Sequence, residues 1–150
     1  MKKISKLLLI GLSVLSLSSC GQIEDTNGAD DYSIVTISDD RIISGSSYSM
    51  MGSVNSHKTT NTYSKGTFKC SKFSGVHEIN SFTTKSNQLK YTIDFKVESG
   101  NCVLAIISDD EIIKKVEANT DTTFTLPYSS KQKLKVVGES AKFELEYYVS

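Results

Sequence analysis

Apolar residues recur with a period of two along most of the chain after its first thirty residues. Leu89, Tyr91, Ile93, Phe95 and Val97 alternate with Lys90, Thr92, Asp94 and Lys96, the signature of a strand with one face buried and one in solvent. Ala141, Phe143, Leu145, Tyr147 and Val149 repeat the pattern against Lys142, Glu144, Glu146 and Tyr148. Residues 102–107, Cys-Val-Leu-Ala-Ile-Ile, are apolar on both faces, which predicts a central strand covered on both sides. Shorter strands are expected at Thr67–Phe73, Val76–Phe82, Glu111–Glu117, Thr122–Leu126 and Lys133–Val137. No segment of the body carries a sustained 3.6-residue stripe, so few helices are expected.

Turn-forming residues separate these runs. Glu98-Ser99-Gly100-Asn101, Ser108-Asp109-Asp110 and Val137-Gly138-Glu139-Ser140 read as turns, and the single proline, Pro127, is placed in a loop after a short strand. Residues 32–150 therefore predict one all-β domain, an antiparallel β-sandwich of about eight to ten strands. One internal echo crosses this plan. Ile37-Ser38-Asp39-Asp40-Arg41-Ile42-Ile43 returns as Ile107-Ser108-Asp109-Asp110-Glu111-Ile112-Ile113, and both copies read as hairpins turned by an Asp pair, because Asp tolerates the left-handed backbone of a tight turn. Two copies are too few for a solenoid.

The first twenty residues follow a different pattern. Lys2, Lys3 and Lys6 precede an apolar run of about eleven residues, Leu7 to Leu17, diluted by Ser13 and Ser16 and ended by Gly21 and Gln22. That is shorter than the ~20 apolar residues needed to span a bilayer. Leu17-Ser18-Ser19-Cys20 resembles the lipobox of bacterial lipoproteins, an aliphatic residue, two small residues and the Cys that becomes the first residue of the mature chain. The resemblance implies a signal peptide at 1–19, removed on export, and lipidation of Cys20 with diacylglycerol and palmitate-type acyl chains. Two or three acyl chains make a stable anchor at about 0.8 kcal/mol per buried CH₂. It also implies a cell-envelope location, tethered to the membrane on its extracytoplasmic side. Residues 20–31, the lipidated Cys20 and the small or acidic stretch after it, are expected to be a flexible tether.

Removing residues 1–19 takes three of the seventeen basic residues and none of the seventeen acidic ones, leaving 14 against 17. A slightly acidic chain lacks the clustered Lys and Arg that phosphate backbones require, so nucleic acid is excluded as a partner. Residues 66–150 resemble the β-sandwich portions of small Gram-positive lipoproteins at Phe73-Ser74-Gly75-Val76, Ser99-Gly100-Asn101 and Val137-Gly138, with Lys65-Gly66 just before; this likeness implies architecture and no activity.

Motifs for chemistry are sparse. His57 sits in a polar stretch read as a solvated loop, His77 on a strand face, and neither has the spacing of a zinc site. No GxSxG elbow or phosphate-cradling glycine motif occurs. Cys70 and Cys102 fall on apolar strands, suited to buried or cross-linked sulfur rather than to an exposed thiolate; they are the candidate disulfide of an oxidising compartment. Asp109-Asp110-Glu111 clusters oxygens without the spacing of a calcium loop. Tyr48, Tyr63, Tyr128 and Tyr148 are expected at loop or outward positions able to contact a glycan or a protein. The chain thus reads as a non-enzymatic binding or envelope-maintenance module with no cofactor and no metal site, its partner an envelope protein or a polysaccharide. The competing reading is an enzyme or transport accessory whose site is assembled from distant loops. A flat face bearing tyrosines favours the former, and a pocket joining His77 to carboxylates or a Cys the latter.

Overall fold

A computed structural model describes residues Ile37–Ser150; residues 1–36, on which the expected signal peptide, the expected lipidation at Cys20 and the expected tether fall, lie outside the described residues. One short helix, α1 (Asp39–Ser44), is followed by seven strands: β1 (Tyr48–Met51), β2 (Val54–Thr59), β3 (Ser64–Phe82), β4 (Gln88–Ser108), β5 (Glu111–Val116), β6 (Thr120–Pro127) and β7 (Gln132–Val149). The fold is all-β and antiparallel, as the alternation predicts. The strands make one seven-stranded sheet. Long β7 lies between β3 and β4, with β1 and β2 in line on the free side of β3, and β5 and β6 on the free side of β4.

Two of the expected turns do not reverse the chain. Residues 98–101 and 137–140 are irregularities inside β4 and β7, and Phe73-Ser74-Gly75 is a third inside β3. Gly75, Gly100 and Ser140 take positive φ at these points (112°, 74° and 48°). The three sites adjoin: Gly75 pairs with Gly138, and a Cβ at Gly100 would meet the Ser140 carbonyl oxygen at 2.4 Å. Turn chemistry has been used to bend strands, since bulges add a residue, break the ladder locally and increase the twist.

The bend brings the two ends of one strand together. Asn80 Nδ2 donates to Ser64 Oγ at 2.9 Å, although both belong to β3 and sixteen residues of straight strand would separate them by roughly 53 Å. Asn80 also donates to Tyr147 Oη at 3.0 Å, and Tyr91 Oη donates to Gln132 Oε1 at 2.7 Å, joining the two halves again. Gln132 is 1 % exposed and its amide nitrogen donates to the Pro127 carbonyl, so its burial leaves no polar atom unpaired.

The period-two residues fill the space between the halves. Phe68, Phe73, Tyr91, Ile93, Phe95, Leu104, Ile106, Leu134, Val136, Phe143 and Leu145 belong to one buried cluster, with edge-to-face aromatic pairs such as Phe68 with Phe143 (5.3 Å) and Phe82 with Tyr91 (5.7 Å). Residues 102–107 are covered on both sides, as expected. Leu104 and Ile106 enter this cluster, while Ala105 and Ile107 enter a second one with Ile37, Ile42, Val76 and Val137 beneath α1.

The first half of the internal echo is the principal correction. Residues 39–44 form a helix, not a hairpin. Ser38 is its N-cap, accepting from Arg41 N at 3.4 Å; Asp39 and Asp40 occupy the first turn, where the helix dipole favours negative charge; Gly45 N closes the end on the Arg41 carbonyl. Six residues cannot hold a helix alone. Ile42 is fully buried, and Lys135 Nζ reaches from β7 to the carbonyls of Ile42, Ile43 and Gly45 (3.3, 2.7 and 3.3 Å), placing a cation on the helix C-terminus. Arg41 pairs with Glu139, and Lys115 with Asp39.

Candidate functional site

The half of the sheet beyond the bend has an outer face formed by β2, the first part of β3, the last part of β7, the first part of β4, and β6. Alternation sends the outward residues of these strands to one side, and the register sets them in rows. Ser56, Thr67, Glu146, Asp94 and Asp121 stand opposite one another across five strands. Two residues along, Lys58, Lys65, Tyr148, Thr92 and Thr123 do the same. Between these rows is an open groove of about 530 Å³.

Its lining is rich in hydrogen-bonding groups. The hydroxyls of Ser56 and Thr67 lie 2.9 Å apart, and that of Thr92 lies 3.1 Å from the hydroxyl of Thr123 on the next strand. Asp94 is paired with Lys96 at 2.7 Å, whereas Asp121 and Glu146 on either side of it form no salt bridge among the described residues. Neighbouring strands are ~4.8 Å apart, so three carboxylates stand side by side along a line of roughly 10 Å. No group of three His, Cys, Asp or Glu side chains able to hold a metal occurs among the described residues. At one side of the groove Tyr148, 42 % exposed, stacks on Tyr63 with centroids 5.4 Å apart and planes at 19°. Tyr63 also borders a second groove of about 860 Å³ at the sheet end, lined by Thr59, Thr60, Thr62, Ser81, Thr83 and Thr84 among others.

The residues singled out in the sequence are dispersed. Tyr63 and Tyr148 come together, but Tyr48 packs on His77 (4.3 Å) and Tyr128 lies partly buried against the main core. His57 is on an edge strand rather than in a loop, because β2 completes its ladder on β3 although all six of its residues are exposed. His77 faces Tyr48 and Phe68, and burial lowers its pKa below the ordinary histidine value against the opposing pull of Glu78. Cys70 and Cys102 are free thiols, 3 % and 4 % exposed, in the main core. Burial, and secondarily Cys70, pushes the Cys102 thiol up to about 12, so it remains protonated at neutral pH. Asp109 and Asp110 form the β4–β5 turn, both at positive φ.

Sequence reasoning placed Asp94 and Glu146 outward but did not bring them together with Asp121. Each lies on a different strand, and only register sets them opposite one another. Comparison with protein-family models, with curated proteins and with solved structures finds no match.

Proposed function

We propose that this protein is a lipid-anchored binding module of the bacterial cell envelope, a folded sheet serving as a sandwich scaffold, whose outer groove receives a polysaccharide. The observation that carries this reading is the row Glu146, Asp94 and Asp121 beside the exposed Tyr148, which is stacked on the half-buried Tyr63. Sugar hydroxyls donate to carboxylates, and the C–H face of a pyranose packs on an aromatic ring, so the two groups recognise the two kinds of surface on a glycan. An open groove on rigid strands suits a polymer that enters from the side.

Sedimentation of the purified chain with isolated wall polysaccharide and with peptidoglycan tests the ligand. Tyr148→Ala and Glu146→Gln are expected each to weaken binding about tenfold, equivalent to ~1.4 kcal/mol, with melting unchanged. Failure of the parent chain to sediment with either polymer, or equal binding by the variants, rejects the polysaccharide reading. The anchor is tested separately. Cys20→Ser is expected to abolish incorporation of a fatty-acid analogue, and equal label on both chains rejects lipidation. Export to an oxidising compartment would also permit a Cys70–Cys102 bridge, closing a loop of about 32 residues for roughly 3.7 kcal/mol of unfolded-state entropy; mass spectrometry without reductant distinguishes bridge from thiols.

A further inference from the structure

Exposed apolar side chains concentrate on one edge of the sheet. Of the four large apolar residues left exposed among the described residues, Tyr148 borders the groove, while Tyr48, Met51 and Val54 lie within seven positions on β1 and β2. Both strands follow one register on β3, with Met51 opposite Lys72 and Val54 opposite Lys69. Residues 48–59 are therefore a single edge strand interrupted at Gly52 and Ser53, where Gly52 has a φ of 58°. No other strand pairs with it among the described residues.

The two edges of the sheet are protected to different degrees. Natural edge strands are guarded by charge, proline or bulges that discourage pairing with another chain. The β5–β6 edge has Glu111, Lys114, Lys115, Asp121 and Pro127. Residues 45–57 contain no Asp, Glu, Lys, Arg or Pro, and Met51 and Val54 are 68 % and 67 % exposed.

We infer that the β1–β2 edge is a homodimer interface, at which a second copy adds its own β1–β2 edge antiparallel to the first. A two-fold interface must be self-complementary, and residues 48–57, which contain no Asp, Glu, Lys or Arg, meet their own copy with no like-charge penalty, while Lys58 near the end of β2 falls opposite the neutral Ser47 of the second copy. In the register centred between Gly52 and Ser53, Met51 faces Val54 of the second copy, Ser49 faces Ser56 and Met50 faces Asn55. Met51 and Val54 share a face with the exposed Lys72 and Lys69, because the interruption shifts the alternation by one residue, so the pairing makes one four-residue apolar patch. Lys72 then stands three strand spacings, ~14 Å, from Lys69 of the second copy, beyond the ~8 Å Debye length at physiological salt. The dimer would continue the sheet through both molecules and set their outer grooves on a common face.

A photo-crosslinking amino acid at Ser56 of the full chain, expressed in its own membrane, tests the inference. The expected product has twice the chain mass, with the link in residues 46–58 of the second copy; the same probe at Thr123 on β6 gives none. Adding Met51→Lys and Val54→Lys, both at exposed positions, is expected to lower the yield at least tenfold while the melting temperature holds. Ser49→Lys, on the same edge, is expected to act in the same direction. Absence of the doubled species, links only to a different protein or to residues 1–36 of the same chain, or a dimer that survives the lysine variants overturns it.

Discussion

Two stretches of this chain share six of seven residues and fold differently. Ile37-Ser38-Asp39-Asp40-Arg41-Ile42-Ile43 caps and begins a helix, whereas Ile107-Ser108-Asp109-Asp110-Glu111-Ile112-Ile113 ends one strand, turns and starts another. Ser38 turns its hydroxyl to the Arg41 amide, while Ser108 bonds to Ser130. Asp39 and Asp40 lie in a helical first turn, and Asp109 and Asp110 take the left-handed backbone, φ 50° and 59°, of a two-residue hairpin. The two copies then meet, with Ile37, Ile42 and Ile107 in one buried cluster and Ile112 packed against it. Their isoleucines seek the same apolar layer, and their surroundings decide the backbone. Ile107 comes at the end of a strand already paired with β7, and Lys115 and Val116 extend the ladder after the turn. The helical copy is followed by Ser44 and Gly45 and is capped by Lys135.

The largest expected contrast comes from burying a charge in each copy. Ile107→Asp buries an unpaired carboxylate where β4 is flanked by both β7 and β5, at a cost of several kcal/mol against a total stability of about 5–15, and is expected to unfold the domain. Ile42→Asp is expected to release the helix while the sheet persists, because only residues near 37–45 depend on it. Circular dichroism and hydrogen exchange separate the outcomes, and loss of the sheet in both variants would show that the helix is integral to the fold. Lys135→Met is next. Removing the ammonium from three carbonyls is expected to cost about 1–3 kcal/mol and to raise amide exchange at residues 39–45, with residues 107–113 unchanged.

A substitution of opposite sign sharpens the comparison. Asp110→Gly relieves left-handed strain and is expected to stabilise by roughly 0.5–1 kcal/mol, whereas Asp40→Gly weakens a helical first turn by about 1 kcal/mol. Urea melts showing the same sign for both would refute the two-backbone description. The smallest effect belongs to the Lys115–Asp39 pair that joins the copies. Its side chains are 40 % and 64 % exposed, so Lys115→Ala is expected to change stability by no more than about 0.5 kcal/mol, less in high salt.

Acid provides a control outside both copies. His77 has a folded-state pKa below the ordinary 6.5, so the unfolded chain binds its proton more readily. Its contribution to stability is complete above that value and declines as pH falls through it. His77→Phe is expected to flatten the loss of melting temperature between pH 7 and 5.

Alternation along Leu89–Val97 and Ala141–Val149 determined the β class and the inward residues, because side-chain direction in a strand repeats every two residues and burial follows it, and the unbroken apolar run at residues 102–107 determined a strand covered on both sides. Local composition also determined two places where the backbone departs from regularity, at Gly100 and Ser140, while Gly75 fell in the gap between the expected strands Thr67–Phe73 and Val76–Phe82. It did not determine what those departures accomplish. A bulge and a turn use the same residues, and whether the chain reverses or merely bends depends on whether neighbouring strands continue their hydrogen bonds through the site. The candidate groove was hidden for a related reason: Asp94 and Glu146 each read as an ordinary outward residue, Asp121 fell just before the expected strand Thr122–Leu126, and the alignment of the three is a property of register between strands. The two echo segments mark the same boundary within seven residues. Ser-Asp-Asp encodes a cap and a tight turn equally well, and six helical residues have too little cooperativity to choose for themselves, so the choice fell to Lys135 and the apolar layer on one side and to the β7 ladder on the other.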